Sequence, residues 1–531
     1  MAAANTSHPE FNLLDEPWIL VLDTHGAIQE LSVLAALARA HELTSLAGEL
    51  PTQDVAILRL LLAVLHAVFT RVDENGNPAP LTSADEALRR WQTLWQGGQF
   101  PFTEIKGYLE HYRERFYLFH PQRPFYQVSK MSKGTEYNAA KLMGTVSESG
   151  NKLRLFQLRT GVAKNSLTYA EAARWLLYLN AFDDTSAKPS ARGAGLPSTG
   201  AGWLGKLGLV YAAGENLFAT LMLNLVLLNE KNEIWEDGEA VWERNTVKEN
   251  ERTEIPLPRC QLELLTLQSR RLLLERDGTG VTGYKLLGGD FFPRENALVE
   301  QMTKWRKEKE SKNQPDVHLP KRHDTSKQLW RDFSALTTND SGRLPGVISW
   351  LALLKNQGIL PPKWIRIQAA SVKYGDKDFF VDDVWGDDLT LNAALFSTLG
   401  AAWVTRITDL LAQTDKCVWL LGLLAKDLSV AAGDKNGGEG KKKAAMEEAY
   451  FRLDTPFRSW LAAIDPQTSK LDEESGKWRE QVSHTVRSLG QELIAEAGVS
   501  AFVGRKDGTN RINAPEAWSK FQAGIKKELD K

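Results

Sequence analysis

Ile57, Leu58, Leu61, Leu62, Val64, Leu65 and Val68 put apolar side chains on more than one face of any helix drawn through them. A helix of that kind is buried rather than laid on a surface, so the chain must build its core around it. The residues before it prepare the same unit. Trp18 to Leu22 is an apolar run of strand length, and Thr24, His25 and Gly26 supply a turn. Ile28, Leu31 and Val33 lead into a helix carrying Leu34, Leu37 and Ala38. Pro51, which has no N–H to donate, is read as its stop, with the buried helix starting at about Asp54.

At 531 residues the chain exceeds one ordinary core, which predicts two or more domains. The formal net charge is −2, so any nucleic-acid surface must be local. The two cysteines, Cys260 and Cys417, build neither a disulfide framework nor a four-cysteine zinc site, which fits a cytoplasmic protein. Met1 to Pro9 lacks the basic start and apolar core of a signal peptide. The apolar run Leu217 to Leu228, read as a buried helix, is too short to span a bilayer. No membrane association, metal or cofactor is expected.

Most remaining signals are structural. The helix Leu88 to Trp95 carries Trp91 and Trp95, and the aromatic run Phe100 to Tyr126 suits a packed irregular core better than a platform for stacked bases. Gly144 to Ser166 keeps neither a helical nor a strand period and reads as a long loop, with Leu155 and Phe156 flanked by Lys152, Arg154 and Arg159. It is either a surface loop or one that docks on a phosphate backbone and pushes in a side chain. Thr168 and Glu171 form a capping box before AARWLLYL, a helix that ends near Asn180. Asp183 to Gly202 is rich in Ser, Gly, Ala and Pro, with cations at Lys188 and Arg192. It lacks a P-loop context and is either a linker or a DNA-contacting loop.

Further on, Leu262 to Leu274 reads as a strand region, Arg276-Asp277-Gly278 as a turn and Val281 to Leu287 as the returning strand. Lys304 to Lys312 reads as a solvated mixed-charge helix. Val347 to Leu354 is helical. Trp364 to Gln368 alternates as a half-buried strand, and VKYGDKDFF makes a turn on Gly375 with the polar tip Gly375-Asp376-Lys377. From about Leu389 four helical patterns follow: Ala393–Leu424, Met446–Ile464, Leu471–Ala497 and Ala514–Leu529, with Gly433 to Lys443 as a low-complexity polar loop among them. The chain is therefore α+β: a large mixed α/β N-terminal domain over 1–388, then a C-terminal four-helix bundle over 389–531.

The segments LLDEPWI, AHEL, LPTQD, LRLLLAVLH, LTYAEAARWLLYLNAFD, GWLGKLG, TLQSRR, VTGYKLLGGD and PKRHDTSKQLWRDF stand in this order, and together they resemble the CasA family. CasA is the large subunit of the type I-E CRISPR surveillance complex, Cascade. The resemblance implies the same two-part architecture and a function without chemistry in antiviral defence. Guide crRNA reads the target by base pairing, while this kind of subunit reads a short flanking motif, the PAM, in target double-stranded DNA. Family members read it from the minor groove, whose degenerate code tolerates several motifs. They then start strand separation with a wedge and help to recruit a helicase–nuclease. The implied partners are the other Cascade subunits, crRNA, the DNA and that helicase–nuclease.

The resemblance also implies DNA- or RNA-binding residues. The family's long loop falls on Lys152 to Arg159, with Phe156 at its aromatic position and Lys152, Arg154 and Arg159 as its cations. Its glycine loop falls on Ser186, Ala187 and Lys188, none of them glycine, with Gly193 to Gly195 as the next candidate. The lysine finger falls in the hairpin between Arg276 and Leu286, where Lys285 is the lysine present. The wedge falls on Gly375, Asp376, Lys377 and Asp378, Lys377 standing where some members have glutamine. A cysteine cluster that some members carry near Asp277 has no counterpart here. No catalytic residue is implied. Two alternatives stand beside this reading: a protein-docking scaffold without sequence readout, and a metal-dependent nuclease using the His323-Asp324 dipeptide. Nine scattered histidines offer that second site no further cluster.

Overall fold

The computed structural model describes residues 8–148, 159–185, 200–245, 256–278, 280–308, 316–338, 342–360, 363–434, 437–507 and 510–529. The chain separates into two compact units. One comprises Met1–Ser326, Asn339–Ile359 and Arg366–Asp388; the other comprises Lys327–Thr338, Leu360–Ile365 and Leu389–Lys531.

The first unit is a mixture of helices and small antiparallel sheets. Strand Ile19–Asp23 lies between Ile28–Leu31 and Leu43–Leu46. The Asp23 carboxylate accepts the N–H groups of His25 (2.8 Å) and Ala27 (2.9 Å), which fixes the turn between the first two strands. Ile28 to Leu31 is thus a paired strand, and the following helix is the short Val33–Ala38. Pro51 opens rather than ends a helix. It occupies the first helical position of Pro51–Phe69, where a missing N–H costs nothing. That helix alone among the described residues is long and apolar enough to cross a membrane, yet its side chains are buried inside the protein, as its all-round apolar pattern requires.

Helix Pro51–Phe69 packs against helices Tyr169–Phe182, Gln261–Leu265 and Phe102–His111. Thr168 and Glu171 form the capping box the sequence implies. Arg59, inside the core helix, donates to both carboxylate oxygens of Glu300 at 2.9 and 3.2 Å. Glu300 also accepts the Trp203 indole N–H at 2.8 Å and the Met302 N–H at 3.0 Å, so the buried carboxylate is fully engaged. His66, in the same helix, has its pKa pushed down to about 3 by burial and is neutral. The aromatic run near Phe116 packs as a core: Phe116 stacks on Phe125 at 5.5 Å and meets Trp242 at 5.3 Å.

Two other sheets carry the segments of interest. Strand Val281–Gly288 lies between Thr135–Asn138 and Arg270–Arg276, and Trp364–Tyr374 lies between Val381–Asn392 and Leu209–Ala213. Three sequence expectations are corrected here. Leu262 belongs to helix Gln261–Leu265, so the strand begins only at Arg270. Trp305–Glu308 is not helical but a strand paired with Val317–Pro320; its Trp305 is buried while the next three residues face solvent. The apolar run from Leu217 is helical only to Asn224.

The second unit is helical. Ala401–Ala432 packs against Glu439–Ala463, Leu471–Glu496 and Ala514–Leu529, and the last two also touch each other. The first helix starts later than the sequence pattern implies, because Ala393–Phe396 and Thr398–Gly400 are 3-10 turns; the second reaches back to Glu439, into the polar stretch. Trp478 stacks on Trp460 at 5.4 Å and donates its indole N–H to the Thr414 hydroxyl at 3.1 Å. Trp330, from the added segment Lys327–Thr338, stacks on Phe457 at 4.7 Å and donates to Asp454 at 2.8 Å. The sequence reading leaves that segment in the N-terminal domain.

Candidate nucleic-acid interface

The hairpin Trp364–Tyr374 and Val381–Asn392 ends in a single 3-10 turn, Asp376–Asp378. The turn is not built on glycine's freedom. Gly375 has an ordinary φ of −74°, whereas Lys377 (φ 52°) and Asp378 (φ 60°) hold the left-handed conformation. Non-glycine residues visit that region rarely, at about 1–2 kcal/mol each. Gly375 is needed for space: a Cβ there would sit 2.0 Å from the Phe380 ring.

Three contacts hold this tip. Arg322 donates to both Asp378 oxygens at 2.8 Å, the planar two-pronged pairing that a guanidinium favours. The Thr185 hydroxyl donates to the Lys377 carbonyl at 2.7 Å, and the Thr185 N–H donates to the Asp378 carbonyl at 2.9 Å. Below them the Tyr374 hydroxyl donates to the Phe182 carbonyl at 2.6 Å, and the Arg322 guanidinium lies 5.0 Å above the Tyr374 ring. Lys377 and Phe379 are exposed, Phe379 by 44%.

Thr185 is the last described residue before 186–199, and one residue binds described positions on both sides of that stretch of sequence. Buried Arg270 donates to the Asp183 carboxylate, to the Asp184 carbonyl at 3.1 Å and to the Gly200 carbonyl at 2.9 Å. Asp184 is further paired with Lys141. Beside them, burial and then the charges of Arg270, Arg294 and Arg322 lower the Lys206 pKa to about 8, against the pull of Asp378. The tip and the described residues flanking 186–199 thus carry ion pairs of both signs: Arg322 with Asp378, Arg270 with Asp183 and Lys141 with Asp184.

Of the site residues inferred from sequence, Lys152, Arg154, Phe156, Ser186, Ala187, Lys188 and Gly193 lie outside the described residues. Arg159 is already engaged: it pairs with Glu49 at 2.9 Å and Glu171 at 2.8 Å. Burial opposes its charge, but these two carboxylates outweigh burial and hold its pKa above the usual arginine value. Lys285 sits on the central strand opposite Glu136 and pairs with it at 3.0 Å, away from the turn. Gly375, Asp376 and Lys377 come together at the hairpin tip. Arg322 and Thr185 were not inferred from sequence. Arg322 stands next to the His323-Asp324 dipeptide, whose residue types suggest a different chemistry.

That dipeptide has structural roles. His323 is buried, with Nε2 2.8 Å from the Leu209 carbonyl and its ring 5.1 Å from Trp385. Asp324 accepts from the Ser326 N–H (3.2 Å) and hydroxyl (2.7 Å). Among the described residues no group of three His, Cys, Asp or Glu side chains is placed to hold a metal.

A mixed α/β part followed by a helical region is the fold this chain shares with solved CRISPR-associated proteins. The profile of the CRISPR-associated protein Cse1 family matches residues 12–489. The chain belongs to that family. It is 33% identical over 344 residues to the CRISPR-associated protein CasA/Cse1 of Thermus thermophilus; the match covers 64% of this chain and 62% of that protein's length. It superposes on the crystal structure of Thermobifida fusca Cse1 with a TM-score of 0.83 and 32% identity over 98% of both chains. A chain of a CRISPR RNA-guided surveillance complex, 18% identical, shares the fold with a TM-score of 0.66 over 92% of this chain and 99% of its own.

Proposed function

We propose that this chain is the non-enzymatic large subunit of a type I-E CRISPR surveillance complex in the cytoplasm. Its first 388 residues carry DNA recognition and the C-terminal bundle docks neighbouring subunits. The chain reads the PAM from the minor groove of target double-stranded DNA, where base pairs present only a degenerate pattern. Its 375–378 tip then starts strand separation. Guide crRNA pairs with the released strand, and the complex recruits the helicase–nuclease that destroys the target.

The observation that carries this reading is the hairpin tip. A cation at Lys377 stands on a backbone held in an uncommon conformation by side chains from two other segments. Strain kept at a surface turn is found where a turn has work to do. A lysine there can insert beside the first base pair and meet phosphate. In the guide-loaded complex, Lys377→Ala is expected to slow strand opening, read by 2-aminopurine fluorescence at the first target position, while PAM-dependent docking changes little. Equal losses in docking and opening would remove the wedge role.

A further inference from the structure

The tip holds a second exposed group that the wedge reading does not use. Phe379 presents 44% of its surface to solvent, two residues beyond Lys377, while neighbouring Phe380 packs against the Cα of Gly375. Two consecutive non-glycine residues in the left-handed region would relax in an unsupported turn. Here each is fastened: Lys377 by its carbonyl to the Thr185 hydroxyl, and Asp378 by its carbonyl to the Thr185 N–H and by its carboxylate to the Arg322 fork. The Gly375 N–H also donates to the Phe380 carbonyl at 2.9 Å, closing the turn. The result is a tip fastened at both left-handed residues, with a cation and an aromatic ring exposed on it.

We infer that Phe379 is the ring that stacks on the base pair exposed at the end of the flanking duplex, and that Arg322, Asp378 and Thr185 are positioning residues that hold the tip so that it can. This inference rests on the proposed wedge role. A base pair freed on one side has lost a stacking neighbour, and an aromatic ring replaces that neighbour for any base. Apolar side chains inserted at a base step act in the same way in proteins that kink DNA. Lys377 then meets the adjacent phosphate, so one turn supplies both the surface and the charge.

The test uses the guide-loaded complex with the full chain, a target carrying 2-aminopurine next to the flank, and two readouts: docking affinity and opening rate. Phe379→Ala is expected to slow opening by about 5- to 150-fold, the range that base–aromatic stacking carries, with docking changed less than about twofold. Phe379→Trp should retain opening. Phe379→Leu keeps apolar bulk without a ring and should stay slow; wild-type opening in that variant would overturn stacking. Arg322→Gln and Asp378→Asn should reproduce the opening defect, the second by loosening the fork without adding intrinsic backbone strain, because asparagine tolerates a positive φ. Arg322→Lys, which keeps charge but loses the fork, should fall between. Unchanged opening in Arg322→Gln, while Lys377→Ala is slow, would overturn the brace and leave the wedge intact. Unchanged opening in Lys377→Ala would overturn the wedge itself.

Discussion

Arg59 with Glu300 and Arg322 with Asp378 are the same chemical pair in two settings. Both are two-pronged, with N···O distances of 2.8–3.2 Å. The first pair is only 3% and 1% exposed, and the second 32% and 31%. Burial makes the first pair a condition of the fold: neither charge can be left alone where water cannot reach. Partial exposure makes the second pair nearly neutral for stability, since water screens it and competes for its hydrogen bonds. Its value lies in the geometry it imposes on an uncommon turn. One protein thus uses one interaction both to hold a core together and to aim a loop.

The largest expected effect is at the buried pair. Glu300→Ala leaves Arg59, the Trp203 indole and the Met302 N–H without their acceptor. Chemical denaturation should then report a loss of about 3–5 kcal/mol. A loss below about 1 kcal/mol would put this pair in the same class as the exposed one.

Next comes a carboxyl whose charge burial disfavours. Asp54, in the first turn of the core helix, accepts the Gly48 N–H at 2.7 Å and faces a cavity of about 430 Å³ shared with Tyr211, Arg366, Asp387 and Asp388. Burial raises its pKa from 3.8 to about 7, against the pull of the Gly48 hydrogen bond. The folded state therefore binds more protons than the unfolded chain between those values, and stability falls as pH rises from about 4 to 7. Asp54→Asn should gain about 1–3 kcal/mol at pH 8 and nothing at pH 4. An equal gain at both pH values would assign it to packing.

A smaller effect is expected at the tip. Arg322→Gln should cost less than about 1 kcal/mol in the denaturation that exposes the Glu300 defect, despite its larger consequence for strand opening. The smallest and most local effect concerns residues outside the described segments: neutralising Lys152 and Arg154 should reduce the salt dependence of duplex binding by a slope of about 1–2. An unchanged slope would remove them from the phosphate contacts.

What could be read from sequence followed the range of the forces involved. The buried helix, the capping box at Thr168 and the long bundle helices rest on neighbours within a few residues, and their patterns were legible. Leu262 to Leu274 is apolar over much of its length, so no period separated the helix Gln261–Leu265 from the strand after it. Trp305–Glu308 is a strand only because Val317–Pro320 lies alongside, and its charges alone suggested a helix. At the candidate site Lys377 was visible as a cation in a turn. Its brace was not: Arg322 and Asp378 are 56 residues apart, and Thr185 and Lys377 are 192 apart. No local pattern marks such pairs.

The most direct test of the central claim is duplex-DNA binding by the guide-loaded complex with and without this chain, over targets that differ only in the flanking motif. Binding that depends on the flank, and does so only when the chain is present, is the expected result. A gain that is equal for every flank would contradict PAM recognition and leave a nonspecific clamp or scaffold.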